Sequence, residues 1–215
     1  MRTKMVVMCV AALMLAFCPA VFAAGQEGKL GLGARVGYSV FQGDDFSNNG
    51  RQVDVDFDSC PTFGIDGTYW LSDMFSLELA VEYVTTATDA KTSGKTVDMG
   101  DLTQIPILLT FQYHPFTFEG FSPYVGVGAG YYINDFDTSD AFKALATGGK
   151  DLEVDSNAGF HACLGTDYFV NDTMAVNLDV RYAFNSTKFK TEGSTSEETI
   201  DLNAYTVKLG FKYFF

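Results

Sequence analysis

From residue 29 onward, apolar and polar positions alternate with a period of two, and the pattern recurs in eight stretches. Lys29–Phe41 sets Leu30, Leu32, Ala34, Val36, Tyr38 and Val40 against Gly31, Gly33, Arg35, Gly37 and Ser39. The others are Thr62–Leu71, Phe75–Thr86, Thr103–His114, Phe121–Ile133, Asn157–Phe169, Met174–Ser186 and Asp201–Phe215. No helical period competes with them, so each predicts a strand. Pro106 is the discordant residue, because it has no ladder donor; it is expected near a bulge or at the loop end of its strand.

The connections alternate as well. Ser72-Asp73, Pro115–Gly120 and Asn171–Thr173 are short, whereas 42–61, 87–102, 134–156 and 187–200 are long and polar. Tight turns alternating with long loops predict an all-β fold, an eight-stranded antiparallel up-and-down β-barrel with both termini at the short-turn end.

Alternation does not say which face is inside, but volume does. An eight-stranded barrel encloses only enough space for a filling of side chains, and roughly forty bulky apolar residues do not fit there. The face rich in Gly, Ala, Ser and Thr does fit. The apolar face therefore looks outward to lipid, which makes the barrel transmembrane, and the runs match the about 9–11 residues a tilted spanning strand needs. Tyr38, Tyr69, Tyr83, Tyr113, Tyr182 and Tyr213 near strand ends suit interfacial girdles. Arg35, Asp66, Glu78, Glu82, Asp167, Asp179, Arg181, Lys208 and Lys212 then share the lumen. Charges so confined must pair. They read either as a structural salt-bridge plug or as a polar conduction path, and the narrow bore favours the plug.

The first residues change the compartment. Arg2 and Lys4 precede an apolar run, Met5 to Phe17; Pro19 and then Val21-Phe22-Ala23 form an exit pattern. The expectation is a signal peptide, 1–23, cleaved after Ala23, leaving 24–215 as the barrel; an uncleaved anchor is the alternative. The chain carries a formal charge of −13, and losing Arg2 and Lys4 leaves 12 basic against 27 acidic groups, −15. Such a surface repels phosphate backbones and excludes general nucleic-acid binding. Cys60 and Cys163 remain in the exported chain, without zinc spacing and on strands expected to lie across the barrel from each other, so no disulfide is indicated.

Four segments carry a resemblance. Ile105-Pro106-Ile107-Leu108-Leu109-Thr110-Phe111-Gln112-Tyr113, Phe121-Ser122-Pro123-Tyr124-Val125-Gly126, Gly165-Thr166-Asp167-Tyr168 and Asn177-Leu178-Asp179-Val180-Arg181-Tyr182 stand in order. They resemble the P-x-LL-x-QY, F-x-PYVG, G-x-DY and N-x-DVRY segments of the OmpW family of bacterial outer-membrane proteins, the first with two residues, Thr110 and Phe111, between its leucine pair and Gln112. The family also has proline where Pro106 stands. The resemblance implies a Gram-negative outer-membrane barrel, both termini periplasmic, that holds small hydrophobic compounds in its upper half and releases them sideways into the bilayer. The family's tryptophan near the loop end of the sixth strand is absent; Asn157-Ala158-Gly159 stands there, and Trp70 lies near the other end. Phe215, a terminal aromatic on the lipid face, resembles the assembly signal of outer-membrane barrels. The implied partners are outer-membrane lipid and lipopolysaccharide, the barrel-assembly machinery and small hydrophobic ligands.

Other chemistry is thinner. Asp54, Asp56 and Asp58 resemble the start of a calcium loop but lack its glycine and closing glutamate; with Asp44 and Asp45 they make an acidic external loop. His114 and His161 fall on the lumen face without a catalytic Ser or Cys setting, and G-x-S-x-G and H-E-x-x-H are absent. No catalytic residue, metal site or cofactor is assigned. A structural or adhesive barrel without transport, and less readily a lipid-modifying enzyme, are the rival functions.

Overall fold

The alternating stretches pair edge to edge into a closed ring. In the computed structural model, residues 26–42, 44–48, 51–92, 95–144, 149–191 and 197–215 are described; the expected signal peptide and its cut at Ala23 lie outside them. The strands are β1 (Leu30–Phe41), β2 (Asp44–Asn48), β3 (Arg51–Phe57), β4 (Cys60–Ser72), β5 (Phe75–Thr92), β6 (Lys95–Tyr113) and β7 (Phe121–Thr138), followed by β8 (Leu152–Val154), β9 (Asn157–Asn171), β10 (Met174–Phe184), β11 (Ser186–Thr191), β12 (Glu197–Asp201) and β13 (Ala204–Phe214). The ring runs β1, β4, β5, β6, β7, β9, β10, β13, and every neighbouring pair is antiparallel. First and last strands close it, from Gly31↔Phe214 to Phe41↔Ala204. Among the described residues, closure leaves the eight-stranded ring without an open edge, as a backbone surrounded by hydrocarbon requires.

Burial settles which way the faces point. Val36, Phe63, Leu79, Leu109, Val127, Leu164, Leu178 and Leu209 are exposed on the outer wall, while Arg35, Asp66, Glu78 and Lys208 are buried inside. Five of the six tyrosines proposed for the girdles are exposed. Tyr182 is half-buried, its hydroxyl bonded to Gln42 at 2.9 Å and its ring packed on Phe184 and Tyr205.

The four segments expected to be long loops are largely paired instead. β5, β6 and β7 run for 18, 19 and 18 residues, well beyond the about 9–11 that cross a membrane. The β2–β3 hairpin adds to the far end of β5, from Asp54↔Lys91 to Phe57↔Thr88. β8, β11 and β12 form a separate three-stranded sheet on which Lys190 donates a hydrogen bond to Asp155 at 3.2 Å, raising the lysine's pKa. These extensions stay ordered because Val55, Phe57, Leu102, Phe136, Phe189 and Ile200 bury together in one apolar cluster. Polar composition hid this, since the apolar residues are sparse among acids and hydroxyls.

Pro106 sits neither at a bulge nor at a strand end. Its register with β7 is unbroken, Ile105↔Ile133, Pro106↔Tyr132, Ile107↔Tyr131. On the other side the pairing passes from Val81↔Ile107 to Val84↔Gln104, leaving Glu82 and Tyr83 out of the ladder, and the β5–β6 bulge lies at Thr88/Asp89. The strand is longer than its alternating run suggested, which moves Pro106 into the interior, where its missing N–H opens the ladder locally.

Candidate functional site

All nine lumen-assigned ionisable side chains are buried within the ring, and each has an oppositely charged neighbour. Glu78 on β5 is the hub. Its carboxylate meets Arg35 Nη2 at 2.6 Å, Arg181 Nη2 at 3.1 Å and Lys212 Nζ at 3.4 Å, and accepts from Gln112 at 3.1 Å. Arg35 Nε also donates to Asp66 at 2.8 Å. Lys208 lies 2.5 Å from Glu82 and 3.5 Å from Asp179, and Lys212 lies 3.3 Å from Asp167. Tyr124 donates to Asp179 at 2.9 Å, and Asn177 links Tyr124 to Asp167. Space for these long side chains comes from glycine: a Cβ at Gly210 would fall 2.6 Å from Arg35 Cγ, and one at Gly37 would fall 2.5 Å from Lys208 Cγ. With four cations and five carboxylates, the network has a formal charge of −1.

Toward the short-turn end the lumen closes on aromatic rings. Trp70 is fully buried, 4.2 Å from the His114 ring, with Phe169 and Phe214 packed around it. Both imidazole nitrogens meet hydroxyls, Ser76 at 3.1 Å and Ser122 at 3.0 Å, so His114 is held as a structural bridge between β5 and β7.

Toward the loop end the lining turns apolar. Phe41, Val84, Met99, Leu102, Phe136, Leu202 and Ala204 belong to the cluster that also gathers β3, β11 and β12. Between cluster and network lies a cavity of about 30 Å³, lined both by Val84 and Leu202 of the cluster and by Glu82 and Arg181 of the network.

A closed eight-stranded ring with apolar side chains outside and a charged lumen is the arrangement expected of a bacterial outer-membrane barrel, and residues 27–215 match the OmpW family. The chain belongs to the OmpW family. Its relatives include outer membrane protein W of Vibrio cholerae, 25% identical over 95% of this chain and 98% of that protein. Another is the uncharacterized outer-membrane protein y4mB of Sinorhizobium fredii, 33% identical over 60% of this chain; the chain matches about half of that protein, 53%. Among solved structures, OprG of Pseudomonas aeruginosa has the same fold, with a TM-score of 0.70 at 23% identity over 89% of this chain and 98% of that one. The chain is therefore an integral β-barrel protein of the bacterial outer membrane.

Within this OmpW-family barrel, several residues escaped the sequence reading. Trp70, Tyr124 and Tyr132 point inward, and strand parity was the available signal: Trp70 shares a face with Asp66 and Thr68, and the tyrosines share one with Gly126 and Gly128. Cys60 and Cys163 are both buried free thiols, the first in the apolar cluster and the second beside Gly126. His161 bonds Thr110 at 2.8 Å. Of the acidic group, the side chains of Asp44, Asp45 and Asp54 lie outside the described residues. Phe215 is exposed on the outer wall, stacked edgewise on Tyr213 with centroids 5.0 Å apart.

Proposed function

We propose that the barrel admits small hydrophobic molecules from the cell exterior into its apolar loop-end chamber and discharges them sideways into the bilayer. The observation carrying this reading is that an apolar cluster and a buried charged network meet at one small cavity. An apolar solute is favoured in the first region. It would have to separate paired charges in the second, at several kcal/mol each, so the axial route is closed to it. The ladder interruption at Glu82, Tyr83 and Pro106, level with the junction, supports a lateral exit. The network itself is a structural plug in this reading.

The same reading carries an orientation. The short-turn end and both termini face the periplasm, after export by a signal peptide cut at Ala23. The acidic loop end meets lipopolysaccharide, and Phe215 is the outward aromatic residue read by the barrel-assembly machinery.

Reconstitution into liposomes with paired solutes of similar size, one apolar and one polar, tests the proposal. Entry of the apolar solute should rise with protein content while the polar solute is unchanged. Equal acceleration of both would mean a conduction path through the network, and acceleration of neither would mean a structural barrel.

A further inference from the structure

We propose that the cavity at the junction of apolar cluster and charged network is a head-group site for a neutral hydroxyl, making medium-chain alcohols preferred ligands over hydrocarbons of equal length. The proposal rests on the reading that the loop-end chamber takes apolar chains, and it adds the polar end of the molecule.

Two buried residues that line this cavity carry donors without a hydrogen-bond acceptor among the described residues. Tyr132, 3% exposed on β7, has an unpartnered hydroxyl. Arg181, also 3% exposed, has unpartnered Nε and Nη1 donors; Nε lies 3.4 Å from Asp179, and Nη1 has its Glu82 neighbour 3.8 Å away, beyond hydrogen-bond reach. Buried donors in folded proteins are almost always satisfied, so a pair of them at one cavity marks a place for an acceptor. The Glu82 carboxylate on the same lining, whose Oε1 also meets Lys208, supplies an acceptor. A group that accepts from Tyr132 and Arg181 and donates to Glu82 has the valence of an alcohol.

Charge and size narrow the choice. The network already carries a formal −1, so a carboxylate head would bring a second uncompensated negative charge into a site of low dielectric. A hydrocarbon end would leave both donors unmet. About 30 Å³ exceeds the roughly 10–15 Å³ that one water requires, so a hydroxyl fits and a ring does not. Val84 and Leu202 border the cavity on the side of the apolar cluster, which is where an alkyl tail would lie.

The test compares 1-decanol, decane and decanoate at pH 8 on the refolded full barrel in phosphatidylcholine nanodiscs, reading the unfolding midpoint for the unaltered protein and for Tyr132→Phe. Bilayer partitioning is common to both proteins, so their difference isolates the site. The expected result is decanol raising the midpoint more than decane or decanoate, with Tyr132→Phe weakening decanol binding by about fivefold and leaving decane's effect unchanged. Equal effects of decanol and decane in the unaltered protein overturn the head-group site while leaving the apolar chamber standing. Decanoate ranking first overturns the neutral head. No effect from any of the three on the unaltered protein removes the chamber itself, and this proposal with it. Should Tyr132→Phe fail to fold, the ranking in the unaltered protein decides alone.

Discussion

Along β5, Glu78 and Glu82 point into the lumen while Leu79 and Tyr83 face outward; a few residues on, Val84 and Ala90 are inside and Thr85, Ala87 and Asp89 are outside. β7 does the same, with Val127 and Tyr131 outward before Asp135 and Asp137, and Tyr124 inward before Phe136. One continuous strand thus obeys two opposite rules. In the membrane half, hydrocarbon lies outside and every polar group must find a partner within, which yields the network around Glu78. In the loop-end half, water lies outside and the soluble arrangement largely returns, with an interior where the apolar cluster sits among buried hydroxyls such as Thr86 and Thr88. The comparison teaches that polarity inside a barrel is set by what surrounds the wall at that height, and that the junction is where an amphipathic environment must arise.

The sharpest way to break this contrast is to remove the hub. Glu78→Ala leaves Arg35, Arg181 and Lys212 short of a shared counter-charge, and should cost about 4 kcal/mol of barrel stability. A urea titration in lipid vesicles measures it, and a loss below about 1 kcal/mol would mean the network is solvated rather than dry. Leu102→Ala, in the apolar cluster and fully buried, should cost about 3 kcal/mol locally. Its effect should be confined to the loop end: proteolysis there accelerates, while the unheated gel mobility of the folded barrel is retained. The outer wall gives the smallest pair of effects. Val127→Lys should cost about 2–3 kcal/mol by placing a charge against lipid, and Asp135→Lys, farther along the same strand, under about 1 kcal/mol. Equal costs at the two positions would dissolve the distinction between the halves.

The membrane half was readable in the amino-acid order because alternation there is strong and one-sided: large apolar residues such as Leu77, Leu79 and Leu109 contrast with Ser76, Glu78 and Thr110. The loop-end half was not, because its alternation is carried by scattered residues, Val55, Phe57, Met99 and Leu102, set among acids that dominate the composition. Nor did one-dimensional spacing give the partners within the lumen. That Glu78 meets Arg181, far along the chain and on β10, depends on the register between strands and on side chains crossing the bore. The junction cavity was illegible for the same reason, since Tyr132, Glu82 and Arg181 come from three strands.

The reversal between Tyr83 and Thr85 on β5 has a mechanical meaning too. It fixes a waterline on the molecule within a few residues, so the barrel floats at one depth and cannot slide along its axis to suit a thicker or thinner leaflet. In a mismatched bilayer the lipids around it would have to pucker or compress, and sites at the junction would stay level with the same depth of the membrane whatever the bilayer did around them.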